Sequence, residues 1–299
     1  MAAMKILRVE SDLLRVPLPR PVSLPASQDP RSATSADVVV VRVVTDGGPT
    51  GLGFAYTLGG GGPALRSLVD TVVADAVAGE DATRTEWLYQ RAWAELEGLG
   101  FVGLAARAYA AVDFALWDAK GKAAKLPVHR LLGGYRTKLK AVVSDTATPA
   151  LGVKQATRDT RAALDKGAAG VQVEVGTVDP ELDYERVRQL REAVPDGAWF
   201  EVSACGRYDF STAAWMGEVG TEEFGLDGYS DPVRSDDLAG LGRLVDRLDV
   251  GLAVGALYDR PDDFVFDGGP RFEVGQLVVP SDPGLGLSVN DAAAAKYRV

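Results

Sequence analysis

The sequence predicts an α/β chain in two parts: an α+β domain of three strands and a helical bundle, followed by a shortened parallel (β/α) barrel. Three observations lead there. Strand-like stretches at 4–17 and 37–45, rich in Val and Ile, and a third short one at 51–57 come before helical patterning at 63–79, 84–97 and 104–123. Beyond residue 137, strand-like and helical segments alternate about every 25–30 residues, the spacing of parallel strands joined by crossover helices. That rhythm stops near residue 266. It leaves room for about five units, where a full eight-unit barrel takes about 250 residues.

The first three strands alternate in part and carry many β-branched residues. Asp46-Gly47-Gly48 forms a turn between the second and third strands. Pro63 follows a glycine run at 59–62 and marks a helix start. In the second part, strands at 138–144, 171–176, 198–204, 228–233 and 250–256 alternate with helices at 151–166, 180–193, 210–220 and 236–247. Residues 268–299 read as a short strand pair and a turn-rich tail. The expected division is a domain at 1–135, a barrel at 136–267, and a tail at 268–299 that packs back on the first domain. An open barrel exposes an edge strand, so a homo-oligomer that covers it is expected.

The composition excludes several classes. Of 299 residues, 46% are hydrophobic and 25% charged, the balance of a soluble globular chain. The net charge of −10 disfavours nucleic acid and anionic membrane as partners. No apolar run reaches the roughly 18 residues that span a bilayer. The start lacks the pattern of a signal peptide. With Cys205 as the single cysteine, no intrachain disulfide forms and a cytoplasmic setting is expected. The single histidine, His129, rules out any two-histidine metal site. It lies in Pro127-Val128-His129-Arg130-Leu131-Leu132 and reads as structural.

Ala111-Val112-Asp113-Phe114-Ala115-Leu116-Trp117-Asp118-Ala119-Lys120-Gly121-Lys122, with Pro127 and Leu131-Leu132-Gly133-Gly134 after it, resembles the link between capping domain and barrel in the enolase superfamily. More narrowly it is similar to the mandelate racemase and muconate lactonizing enzyme branch. Gly51-Leu52-Gly53-Phe54-Ala55-Tyr56-Thr57 resembles the capping domain of the acid-sugar dehydratases of that branch. Pro280-Ser281-Asp282-Pro283-Gly284-Leu285-Gly286-Leu287 resembles its closing motif. The resemblance implies an enolase-like α+β capping domain on a TIM-type barrel.

It also implies a chemistry: removal of a proton next to a carboxylate, with Mg²⁺ stabilising the enediolate. Carboxylates ending the third, fourth and fifth strands hold the ion. In this chain those positions fall on Ser203, Ser230 and Ala256, and the basic pair of the second strand becomes Gln172-Val173-Glu174. The expectation is therefore a degenerate member with no Mg²⁺ cofactor and a binding, scaffolding or repurposed role. Its ligand is expected to be a small carboxylate or sugar acid. The alternative is an active racemase, dehydratase or cycloisomerase using a non-standard site, with Glu174, Glu201 or Asp231 recruited as base or ligand.

Gln172 and Glu174 share strand parity, as do Glu201 and Ser203, so all four face inward. A carboxylate pair with a raised pKa is the sharp reading, and solvation or pairing with arginine the plain one. Tyr56, Gln172, Ser203, Ser230 and Arg207 are the candidate substrate contacts. Tyr258, Asp259 and Arg260 also follow a strand end. Cys205 has no histidine to activate it and reads as an inert replacement. Residues 98–103 match G-x-G-x-x-G without a preceding strand, and so connect two helices. Residues 59–62 read as a turn or lid before they read as an anion cradle. Asp236-Asp237 open a helix.

Overall fold

The computed structural model describes residues 3–23, 32–144, 147–149, 151–253, 265–274 and 276–299. Strands β1 (Ile6–Ser23), β2 (Ser32–Thr45) and β3 (Gly51–Leu58) form an antiparallel sheet in that order. Val39, Val41 and Val43 face a core with Leu65, Leu88 and Leu116, while Val38, Val40, Leu14 and Val16 face a second cluster with Phe266 and Ala294. Alternate side chains leave a strand on opposite faces. Burial of both faces is why residues 38–41 are all valine and not an alternating pattern.

The helical layer comprises α1 (Gly62–Leu68), a π-helical turn at Val69–Val73, α2 (Ala74–Val77), α3 (Thr85–Glu97), α4 (Leu104–Ala124) and the short α5 (Val128–Leu131). Helix α4 lies directly on β3. A Cβ on Gly51 would collide with the Ala115 carbonyl, and one on Gly53 with the Ala111 carbonyl. This explains two glycines in a strand where glycine otherwise weakens pairing.

The parallel sheet follows β4 (Lys138–Lys140) and consists of β5 (Val142–Val143), β6 (Gly170–Glu174), β7 (Trp199–Ser203), β8 (Gly228–Ser230) and β9 (Leu252–Ala253), in that order. Helices α6 (Val153–Asp165), α7 (Pro180–Arg191), α8 (Phe210–Phe224) and α9 (Leu238–Arg247) cross between successive strands. Val171, Val173, Phe200, Val202 and Tyr229 pack with Leu190, Met216 and Leu244 in a core of their own. Among the described residues the sheet has five strands, with β5 and β9 at its edges. None of the described helices is long and apolar enough to cross a membrane.

Two expectations need correction. The single opening strand at 138–144 is two strands in two sheets. Lys138–Lys140 pairs antiparallel with Gln276–Val278, whereas Val142–Val143 pairs parallel with β6. The break falls at Ala141, whose carbonyl accepts the Ala169 N–H at 2.7 Å. The tail is also more regular than a strand pair and turns. Beyond β10 (Phe266–Gly268), β11 (Arg271–Glu273), β12 (Gln276–Val278) and β13 (Leu287–Val289), it ends in helix α10 (Asp291–Tyr297). Asn290 caps that helix by accepting the Ala293 N–H at 2.9 Å.

The tail returns to the first sheet through one buried carboxylate. Asp118 on α4 is fully enclosed and accepts the Leu52 N–H at 2.7 Å and the Leu285 N–H at 2.8 Å. Lys122 Nζ lies 2.6 Å from the same carboxylate. Gly284 N–H donates to the Leu126 carbonyl at 3.0 Å, and Val128 N–H to the Gly284 carbonyl at 2.9 Å. Replacing Asp118 with alanine orphans the buried Leu52 amide, worth about 1–3 kcal/mol, and the half-buried Leu285 amide. We expect Asp118→Ala to lower unfolding stability by about 2–4 kcal/mol in urea titration. A loss below about 0.5 kcal/mol, the range of ordinary surface changes, would contradict this account of the junction.

Candidate functional site

Parallel pairing places the candidate residues in two rows across the sheet. Glu174 lies beside Ser203, and Ser203 beside Ser230, at the C-terminal ends of β6, β7 and β8. One pleat earlier, Gln172 lies beside Glu201, and Glu201 beside Gly228. All project from the face opposite the helix-covered valines, as their parity requires. Gln172, Ser203 and Ser230 are buried.

Glu201 is held by three donors. Gln172 Nε2 donates to its Oε1 at 2.7 Å, Ser230 Oγ donates to the same oxygen, and Trp199 Nε1 donates to its Oε2 at 3.0 Å. Glu174 belongs to a different arrangement. Arg207 Nη1 donates to its Oε1 at 2.8 Å and to the Val175 carbonyl at 3.1 Å. The two acids sit in different rows, each engaged by its own donors, and Glu174 is paired with an arginine as the plain reading has it.

The loops after β7 and β8 are strained. Cys205 and Asp231 hold φ of 51° and 44°, a left-handed conformation rare for residues with a Cβ. Backbone bonds hold it in place: Gly206 N–H donates to the Asp231 carbonyl, and Asp231 N–H to the Ala253 carbonyl, each at 2.8 Å. Cys205 Sγ is 3.6 Å from Ser203 Oγ. Burial, reinforced by the Glu174 charge, pushes the Cys205 thiol up to about 12, and Arg207 only partly offsets this. A thiol so placed is protonated at neutral pH and is a poor nucleophile, in line with its reading as an inert replacement.

The other candidates fall elsewhere. Tyr56 stands opposite Val38 in the antiparallel sheet and packs on the cluster around Leu14 and Phe266. The turn at 59–62 is already served by a carboxylate of the chain: Gly62 N–H donates to Asp37 Oδ2 at 3.2 Å. Residues 98–103 connect α3 to α4, and Asp237 caps α9 through the Gly240 N–H at 2.8 Å. His129 lies in α5. Ala256, Tyr258, Asp259 and Arg260 lie outside the described residues. A groove of about 350 Å³ between α6 and α7 is lined by Lys154, Arg158, Arg161 and Gln189, on the outer helices away from the strand-end rows.

Sequence reasoning missed Trp199 and Asp183. Trp199 shares Glu201's parity, which was the available signal. Asp183, fully enclosed on α7, accepts the Gly176 and Thr177 N–H groups at 3.0 and 2.9 Å and the Tyr208 hydroxyl at 2.7 Å. It therefore ties the loop after β6 to the loop after β7.

Among the described residues, the strand ends do not fit Mg²⁺. That ion requires hard oxygen ligands in near-octahedral array, usually including carboxylates. Two of the strand-end positions offer serine hydroxyls, one of them already donated to Glu201, and alanine at 256 has no donor atom. Both Glu201 oxygens accept hydrogen bonds, and Glu174 faces a guanidinium. Among the described residues no cluster of three His, Cys, Asp or Glu could hold a metal ion.

Comparison with known proteins bears on the same surface. Residues 11–133 match the mandelate racemase/muconate lactonizing enzyme N-terminal domain, and residues 155–265 the enolase C-terminal domain-like family. The chain is 32% identical over 241 residues to the 3,6-anhydro-alpha-L-galactonate cycloisomerase of Streptomyces coelicolor, a match covering 80% of this chain and 64% of that protein. The chain thus spans less than two thirds of that relative's length. In fold it is similar to a racemase from Streptomyces coelicolor solved with bound magnesium, with TM-score 0.88 and 23% identity over 98% of this chain and all of that one. It is likewise similar to the L-talarate/galactarate dehydratase of Salmonella typhimurium liganded with Mg and L-lyxarohydroxamate, with TM-score 0.90 and 20% identity over all of this chain and 94% of that one. With its capping-type sheet, parallel α/β half and both family matches, the chain belongs to the enolase superfamily, in its mandelate racemase/muconate lactonizing enzyme-like branch.

Proposed function

We propose that this chain takes a small hydroxy acid or acid sugar at the C-terminal edge of its parallel sheet, without a resident divalent ion. The ligand class rests on the relatives, whose names include an anhydrogalactonate cycloisomerase and a talarate/galactarate dehydratase. The observation that carries the metal-free part is Glu201, whose two oxygens are taken by Gln172, Ser230 and Trp199. The magnesium named in two of the solved relatives is the counterweight to this reading. Within it, the protein is built as an α+β cap at 1–135, closed by 268–299, on an α/β half at 136–267. The open sheet edges favour a homo-oligomer.

The bound acid is either converted or only held. The relatives' activities favour conversion, as isomerase or lyase chemistry, over a chain whose chemistry is gone. The inner face offers Glu174 as base, beside Arg207. This second reading and the binding role predict the same ligand class and differ only in turnover.

Two measurements decide between these possibilities, and a third tests the burial of Cys205. Titration with Mg²⁺ or Mn²⁺ to low millimolar should leave the melting temperature unchanged, whereas saturable stabilisation would sink the metal-free reading. NMR of an acid-sugar panel in deuterated buffer separates the two roles: α-proton exchange that vanishes in Glu174→Gln establishes catalysis, and no exchange supports binding alone. Alkylation of Cys205 by iodoacetamide at pH 8 should be at least about tenfold slower in the folded protein than in urea, because burial lowers its thiolate fraction. Comparable rates would show the thiol to be exposed and available.

A further inference from the structure

Without a divalent ion, a ligand carboxylate needs another positive charge. Few cations in the second half of the chain are both enclosed and incompletely used. Arg207 is one: its side chain is 12% exposed, and Nη1 serves Glu174 and the Val175 carbonyl. Its Nη2 is buried and has no hydrogen-bond partner among the described residues. An unmet donor on a buried guanidinium is costly, and a carboxylate oxygen is its strongest match.

We propose that Arg207 receives the carboxylate of the ligand through Nη2, in the role that a metal ion plays in magnesium-bound relatives. This rests on the small-acid reading given above. Three further features support it. The first is packing: Gly176, at φ 95°, lies against the arginine stem, and a Cβ there would come within 2.9 Å of Arg207 Cβ and 3.0 Å of Cδ, so only glycine lets the side chain sit this close to the loop. The second is rigidity: one oxygen of Asp183 accepts the Gly176 and Thr177 amides and the hydroxyl of Tyr208, the residue next to Arg207, and so fixes the loop that carries the arginine. The third is company. Arg207 Nη1 is bonded to Glu174 at 2.8 Å, Glu174 lies beside Ser203 in the sheet register, and Ser203 Oγ is 3.6 Å from Cys205 Sγ, so these groups are neighbours. Ser203 supplies a hydroxyl there for an α-hydroxyl or the second carboxylate oxygen.

The arrangement has a second consequence. Glu174 already neutralises part of the guanidinium charge, so it competes with an incoming carboxylate. Removing its charge should strengthen binding of acids even if it abolishes turnover.

The test is calorimetric titration of the full chain with galactarate, glucarate and gluconate, and with the neutral polyols galactitol and glucitol. Arg207→Met should weaken acid binding about 30-fold, the worth of one charge-assisted hydrogen bond. Arg207→Lys should recover part of that loss, and Glu174→Gln should tighten acid binding several-fold. None of the variants should change polyol binding. If the wild type binds none of the acids, the small-acid reading fails and this assignment with it. If the wild type binds an acid and folded Arg207→Met binds it equally well, the assignment alone is overturned. Should Arg207→Met not fold, Glu174→Gln decides: unchanged or weaker acid affinity there overturns the assignment.

Discussion

The buried carboxylate of Asp118 is the constraint on which the first half of this protein depends. It accepts amide protons from β3 and from the closing tail while its own helix packs on the sheet. A buried charge is tolerated only when its oxygens are fully used, and two amides and a lysine use them here. The two glycines of β3 let α4 come within backbone contact, and Gly284 lets the tail come within reach of Asp118. Small residues and one acid thus act together with the apolar cluster of Leu14, Val38, Phe266 and Ala294 in closing the tail on the sheet. The sheet beneath is consequently enclosed on both sides.

The second half replaces one electrostatic solution with another. A parallel sheet edge that gathers carboxylates repels itself unless a cation sits among them. In this chain hydroxyls stand where that repulsion would arise, and the remaining acids are satisfied by protein donors. Glu201 is braced by an amide, a hydroxyl and an indole, and Glu174 by a guanidinium. Glu174 is compensated by a charge of the chain, whereas Glu201 is held by neutral donors alone. That is consistent with the left-handed turns at Cys205 and Asp231, which bring the loops of adjacent strands into mutual hydrogen bonding.

Much of this was legible in the residues. The β/α spacing gave the crossover helices, and strand parity placed Gln172, Glu174, Glu201 and Ser203 on one face. The stretches at 111–122 and 280–287 that carried the family resemblance touch each other, through Asp118, Gly121 and Gly284. What was not legible depends on distant partners. The split at Ala141 arises because Lys138–Lys140 pairs with a strand more than a hundred residues away. The indole of Trp199 reaches back to Glu201 only because the pleat puts both on one face, and the sequence does not reveal which neighbours fill the remaining space. Helix α10 had its signal, an asparagine followed by acid and alanines, but a short terminal segment gives little periodicity to read.

Strand β4 and the β11–β12 hairpin form a small antiparallel sheet of their own. It pins together the two ends of the stretch that holds the entire parallel sheet. To first order, the entropy of closing such a stretch grows only with the logarithm of its length, by about 0.6 kcal/mol for each doubling. Strand–helix units added or removed between the pins therefore alter that cost very little. The clasp makes the α/β half a segment whose size can drift over evolutionary time, while the cap and its tail stay in register.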